Sequence, residues 1–261
     1  MDESAKYNIE RWRKLVEANA VFTRPFKDMT TEEAQQQVNE DGQLGDLPQK
    51  KVLALGGGGG KQSVLYGLCG ADITILDISD AQLDIDREMT KHHDFQATLI
   101  QGDMRNLSQF SDNQFDIIDH PYSINFIPDI GDLFEQIARV LVSGGIYQVM
   151  FANPFSSGVR ATEWNGEGYV VSEPYKDGQK IVYQDEDWVY DQSQYTIQPP
   201  VEYRHTLSTI MNKLASAGFV IQQLQELGSF SVDETADGGT WDHFSAVLPP
   251  WIWLRATYRP I

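Results

Sequence analysis

Residues 52–63 read Val52-Leu53-Ala54-Leu55-Gly56-Gly57-Gly58-Gly59-Gly60-Lys61-Gln62-Ser63, an apolar run of strand length that enters five consecutive glycines. Helical spacing follows at once: Val64, Leu65 and Leu68 are apolar and Gly70 is the stop. Glycine is required where the chain takes positive φ and where a ligand comes up against bare backbone. A helix starting there predicts free N–H groups and a positive dipole end aimed at that ligand. Spacing separates the ligand classes. A Walker A loop needs glycine five residues before its Gly-Lys pair and Ser or Thr after it, and those positions hold Leu55 and Gln62. The dinucleotide fingerprint G-x-G-x-x-G would place its third glycine on Lys61, Gln62 or Ser63. G-x-G-x-G at Gly56, Gly58 and Gly60 fits. A flexible linker also accepts a glycine run, but its flanks would lack the periodicity found here.

Downstream, strand and helix patterns alternate. Ile73–Leu76 reads as a second strand ending at Asp77, and Ser79-Asp80-Ala81-Gln82 as a capping box opening a helix with Ala81, Ile85 and Met89 on one face. Thr98–Gln101 is a third strand, running into Gly102-Asp103-Met104, and Phe115–Ile118 a fourth, running into Asp119-His120-Pro121-Tyr122. A helix with Ile130, Leu133, Phe134, Ile137 and Leu141 on one face is expected to stop at Ser143-Gly144-Gly145 and feed a strand at Ile146–Phe151. Near-continuous apolar strands alternating with helices predict an open, doubly wound, mostly parallel sheet covered on both faces. Upstream, residues 1–50 read as a helical appendage: an amphipathic helix over 5–20 carries Ile9, Trp12, Leu15 and Val16, and a short acidic helix starts at Thr31.

The alternation lapses over 153–204, where a β hairpin is expected between Tyr169-Val170-Val171 and Ile181-Val182-Tyr183 around Asp177-Gly178. Trp164, Tyr169, Tyr175, Tyr183, Trp188, Tyr190 and Tyr195 lie in this insertion. They either cover their own hairpin or form an aromatic lid over the sheet. A helix through Leu207, Ile210, Met211 and Leu214 and strands at Phe219–Leu224 and Trp251–Tyr258 then complete one domain spanning 1–261.

Composition bounds the partners. A 261-residue chain with 41% hydrophobic residues builds a sizeable core, and its net charge of -18 repels polyanions, which argues against nucleic acid. The single cysteine, Cys69, fits a reducing compartment. No apolar run approaches the ~18 residues of a membrane span, so a cytoplasmic protein is expected.

Open α/β sheets bind ligands at the carboxyl ends of their strands. Those ends supply the glycine loop, Asp77, Asp103 and His120. Asp77, 21 positions after Gly56, stands where an acidic side chain reaches ribose hydroxyls, though it also suits helix entry; Asp103 also suits a turn.

With these residues in order, the chain resembles the class I S-adenosylmethionine-dependent methyltransferases, whose first motif is a strand ending in G-x-G-x-G. Phe115-Asp116-Ile117-Ile118, Phe126-Ile127-Pro128-Asp129 and Arg139-Val140-Leu141-Val142-Ser143-Gly144-Gly145 resemble the family's fourth and fifth motifs, so the likeness covers about residues 50–152. It implies a seven-stranded sheet, S-adenosylmethionine as cofactor and a small-molecule methyl acceptor. It also implies a cofactor site of Gly56, Gly58, Gly60, Asp77 on the ribose, Ile78 and Met104 against the adenine, Asp103 on the adenine amino group, and His120 facing the cofactor. His120 is the candidate general base for a hydroxyl or ammonium acceptor, ahead of His205 and His243; His92-His93, adjacent on a helix, cannot converge on a metal. One position departs from the pattern: Ala54 stands where the family usually has an acidic residue. Asp119-His120-Pro121-Tyr122 invites comparison with the Asn/Asp-Pro-Pro-Tyr motif of amino methyltransferases. Two alternatives therefore stay open, a non-catalytic S-adenosylmethionine-binding protein and an amino methyltransferase acting on a larger substrate.

Overall fold

A computed structural model describes residues 2–184, 188–228 and 233–260. The first of its regular elements is helix α1 (Glu3–Glu17), capped by Asp2, whose side chain accepts the Ala5 N–H. Thr30 and Glu33 form a reciprocal capping box at the start of α2 (Thr31–Asn39). The core elements follow: β1 (Lys51–Leu55), α3 (Gln62–Leu68), β2 (Asp72–Asp77), α4 (Asp80–His92), β3 (Ala97–Gln101), β4 (Phe115–His120), α5 (Leu133–Val140) and β5 (Leu141–Ala152). The insertion contributes β6 (Gln179–Val182) and β7 (Val201–Arg204), and the chain closes with α6 (Leu207–Ser216), β8 (Phe219–Leu227), α7 (Trp241–Val247) and β9 (Trp251–Tyr258).

Seven strands form one sheet in the order β3-β2-β1-β4-β5-β9-β8. The pairs from β3 through β5 are parallel, and β9 runs antiparallel to both β5 and β8. Pleating sends alternate side chains to opposite faces, and each face has its own core. Leu53, Leu55, Ile118 and Tyr147 pack with Phe134 and Ile137 of α5 and Ile210 and Leu214 of α6. On the other face, Val52, Ala54, Ile73, Ile75 and Ile117 pack with Ala34 of α2, Leu65 and Tyr66 of α3 and Leu83 of α4. The expected doubly wound architecture is present. Among the described residues no helix is long and apolar enough to cross a membrane.

Two expectations about local structure need correction. The Ser143-Gly144-Gly145 run does not separate α5 from its strand: β5 begins at Leu141, paired with Phe115, and the register then jumps to Ile117↔Ile146. The glycines accommodate this bulge, with Gly144 at φ +83°. In the insertion, the partner of β6 is β7, not 169–171. Val170 and Val171 are exposed, Pro174 lacks the N–H a ladder needs, and buried Arg204 of β7 instead gathers the carbonyls of Ser157, Glu173 and Pro174.

The appendage is not one unit. Helix α2 belongs to the core, and α1 packs on α4 as well as on the insertion: Leu15 and Ala20 pack with Val189, Tyr190 and Ile197, and Tyr7 Oη donates to the Pro199 carbonyl at 2.6 Å.

In α3, Gly67 lets the Phe95 ring lie against the helix, because a Cβ built there would stand 2.4 Å from the ring. Gly67→Ala should therefore destabilise the protein by about 1–3 kcal/mol despite alanine's better helix propensity. Urea unfolding of the two proteins checks this.

Candidate active site

A cavity of about 870 Å³ opens where the carboxyl ends of the parallel strands meet α1, the insertion and α7. One end is lined by Gly56, Gly57, Gly58, Asp77, Ile78, Asp103 and Met104. The glycine loop needs its glycines: Gly56 has φ +63°, and a Cβ on it would lie 2.5 Å from Ser123 Oγ. Gly60, at φ +77°, does not line the cavity. A Cβ there would run into Pro25 and Met89 on the inner side, so Gly60 is a packing glycine rather than a wall of the site.

The loop's own N–H groups turn inward. Gly58 N–H donates to Asp77 Oδ2 at 2.8 Å, and Gly59 and Gly60 N–H donate to the two oxygens of Asp86 at 2.9 Å each. Ser63 Oγ–H also donates to Asp86. A loop whose amides are filled by its own carboxylates offers no nest for phosphate. Asp86 was missed by sequence reasoning; its one signal is its place on the inward face of α4, one turn before the apolar Met89. Burial pushes its carboxyl up to about 6, against the lowering effect of its donors.

Asp77 is buried and serves two neighbours, with Oδ1 accepting the Ser79 N–H at 2.8 Å. The cap of α4 is Ser79 itself, whose hydroxyl accepts from Gln82 N–H. Burial raises Asp77 while three backbone N–H groups lower it, with a net upward shift. Asp103 is partly buried and bidentate with Arg105, whose Nε lies 2.9 and 3.1 Å from its two oxygens; burial raises the carboxyl, but Arg105 brings it below the ordinary value. Arg105 also reaches Asp2 at the cap of α1, a long-range tie with no local sequence signal.

Ala54 lies fully buried beneath the loop, and a Cβ on Gly57 would approach its methyl to 3.0 Å. Its register partner on β4 is Asp119, which presents a carboxylate to the same face of the sheet. Burial pushes Asp119 up to about 7.

His120 is placed elsewhere than expected. It is fully buried beside Ile118 on the α5 face, with Nδ1 2.9 Å from Tyr147 Oη, and it does not line the cavity. Burial pushes its imidazole down to about 3. The reading of His120 as cofactor contact and general base is therefore corrected to packing. The fault is one of parity, since adjacent strand residues point to opposite faces. His205 Nε2 sits 3.0 Å from the Ile127 carbonyl, and His243 Nδ1 2.9 Å from Tyr169 Oη, both in structural contacts. No cluster of metal-ligating side chains occurs among the described residues.

The other end of the cavity is aromatic. Trp12, Tyr122, Tyr183, Trp188, Trp241 and Trp251 line it, and Phe22–Trp188 and Trp241–Trp251 form ring pairs at 5.6 and 6.0 Å. Within this wall stands Glu202 of β7, buried, with Oε2 accepting from Tyr122 Oη at 2.8 Å. Burial pushes Glu202 up to about 7, while Tyr122 and then Arg11 act to lower it. Neither partner of this pair was found from sequence, because 80 positions separate them.

With this geometry, the sequence profile of a family described as "Methyltransferase domain" matches residues 53–149. The match runs from β1 into β5 and takes in the glycine loop, so over these residues the chain is similar to methyltransferase domains. It is 28% identical over 249 residues, 90% of this chain and 95% of the other, to the uncharacterized methyltransferase YbaJ of Bacillus subtilis. Among solved structures it is similar to an S-adenosylmethionine-dependent methyltransferase from Mesorhizobium loti, with TM-score 0.63 and 19% identity over 88% of this chain and 99% of that one. It is also similar to a geranyl diphosphate C-methyltransferase from Streptomyces coelicolor in complex with Mg2+, geranyl diphosphate and S-adenosyl-L-homocysteine, with TM-score 0.59 and 16% identity over 98% of both chains.

The folded protein binds the Asp86 proton more tightly than the unfolded chain, so this group lowers stability as the pH rises from its ordinary value of 3.8 through about 6. Asp86→Asn should flatten that part of the stability profile. Urea unfolding from pH 4 to 7 checks this; an unchanged slope would show Asp86 unshifted.

Proposed function

We propose that the enzyme transfers the methyl group of S-adenosylmethionine to a small, largely apolar acceptor held beneath residues 153–204. The observation that carries this reading is the continuity of the cavity: the loop end and the aromatic end are one space of about 870 Å³. That volume lies toward the upper end of the ~300–1,000 Å³ of single-ligand pockets, which suits a cofactor and an acceptor side by side.

At the loop end, Asp77 accepts the ribose hydroxyls, Ile78 and Met104 flank the adenine, and Asp103 receives its amino group. Gly56 and Gly58 admit the cofactor against bare backbone. All six side chains or glycines line the cavity, which supports the assignment. The donor's sulfonium is already a good leaving group, so the protein's main task is to align the acceptor with the methyl carbon and exclude water.

The lid is formed by the insertion together with α1, apart from residues 185–187, which lie outside the described residues. Tyr183 and Trp188 come from the insertion and Trp12 from α1. Leu15 and Ala20 pack under the insertion, so excising the insertion would remove part of the packing of α1.

Calorimetric titration with S-adenosylhomocysteine tests the cofactor end. Binding is expected, and Asp77→Ala should weaken it by about 1–3 kcal/mol, because ribose hydroxyls and loop amide lose their acceptor. Equal affinity in mutant and parent would remove Asp77 from the site.

A further inference from the structure

Among the described residues, Glu202 differs from the other carboxylates that line the cavity, Asp77 and Asp103. Asp77 is filled by backbone N–H groups and Asp103 by Arg105. Glu202 has a single described hydrogen bond, from Tyr122. It lines the cavity, yet the residue is only 8% exposed. Buried carboxylates ordinarily collect several donors or a full ion pair.

Tyr122 links Glu202 to the turn that lies against the glycine loop. The flanking residues Pro121 and Ser123 press on the glycine loop: Cβ atoms built on Gly57 and Gly56 would lie 3.4 Å from Pro121 Cγ and 2.5 Å from Ser123 Oγ. Tyr122 thus leaves the cofactor end and reaches across to Glu202. Rings continue the same wall, with Tyr122 edge-on to Phe126 at 6.1 Å and Phe126 edge-on to Trp12 at 5.8 Å.

We propose that Glu202 takes the proton from the methyl acceptor, and that the acceptor is an apolar small molecule whose methylated atom is a basic amine nitrogen. This rests on the cofactor reading above. A carboxylate set among aromatic faces is complementary to an ammonium, which gains an ion pair from one and cation–π attraction from the others. An alcohol offers neither charge nor an acidic enough proton. The raised value of Glu202, about 7, narrows its gap to an alkylammonium near ~10.4, the value of a lysine side chain.

The step balances. The ammonium N–H bond breaks and its proton goes to the Glu202 carboxylate, freeing the nitrogen lone pair. That pair forms the N–CH3 bond as the C–S bond breaks in line, and the C–S electron pair stays on sulfur, converting the sulfonium to the neutral thioether. The methylated ammonium and S-adenosylhomocysteine leave, and Glu202 returns its proton to water.

The probes are 2-phenylethylamine and its hydroxyl counterpart 2-phenylethanol, titrated calorimetrically at pH 8 into the full chain saturated with S-adenosylhomocysteine. The amine should bind about tenfold more tightly than the alcohol, and labelled methyl from S-adenosylmethionine should appear on the amine. Glu202→Gln should retain S-adenosylhomocysteine binding but lose the preference for the amine. Equal binding of both probes, binding of neither, or an amine preference that survives in Glu202→Gln overturns the proposal. So does a Glu202→Gln variant that binds S-adenosylmethionine more weakly but S-adenosylhomocysteine unchanged, because the carboxylate would then serve the sulfonium. Failure of the parent protein to bind S-adenosylhomocysteine would instead overturn the cofactor reading.

Discussion

The site depends on two buried carboxylates that hold a loop with no side chains. Five glycines in a row have the largest conformational entropy to lose on folding, and nothing in the loop itself can fix them. Asp77 and Asp86 do so from below by accepting the amides of Gly58, Gly59 and Gly60. Anchored this way, the loop presents carbonyls, Cα surfaces and the edge of Asp77 to the cavity rather than a cluster of N–H groups. Such a surface suits a cofactor whose positive centre is a sulfonium and which has no phosphate. The two carboxylates are also why the chain bears the cost of burying acidic groups beneath its binding loop.

What was legible in the sequence is what strand physics writes into runs of residues. A parallel strand covered on both faces must be apolar along its length, so β1, β2 and β4 stood out, and the first polar residue after each marked its carboxyl end. At the end of β2, and likewise of the edge strand β3, that placed Asp77, Ile78, Asp103 and Met104 at the cavity. It could not tell which way a residue at the very end of a strand points. His120 and Asp119 are neighbours, and the pleat sends His120 toward Tyr147 and Asp119 toward the face of Ala54. The bulge at 142–145 was hidden for a related reason, since Gly-Gly in sequence signals a break in pairing without saying whether the strand ends or merely kinks.

The acceptor end was illegible because it is assembled from segments with no mutual periodicity. Trp12 comes from α1, Tyr122 from the turn after β4, Glu202 from β7 and Trp241 from α7. The pairing of β6 with β7 sets Glu202, and that pairing is across a loop of 18 residues between Val182 and Val201, far longer than a hairpin turn. Where 153–174 adds no further strand to that pair, Arg204 gathers the carbonyls of Ser157, Glu173 and Pro174. A side chain doing the work of a strand partner leaves no alternating pattern to read.

The contrast between the two ends then has a physical sense. At the glycine-loop end the two carboxylates that line the cavity, Asp77 and Asp103, are engaged with the protein, so their geometry is fixed before anything binds, as positioning requires. At the aromatic end Glu202 has one described hydrogen bond, from Tyr122, with the Arg11 charge acting on it more weakly, and burial still pushes it up to about 7. It can exist in either protonation state at neutral pH, and a bound group that changes its own charge can tip it. A carboxylate satisfied by several N–H donors would be held ionised and would be a poor proton acceptor; one left under-satisfied in an apolar wall is less stable but more reactive. The same burial that makes Asp86 a rigid support makes Glu202 responsive, and the difference lies in the number of donors each meets: three for Asp86 and one for Glu202.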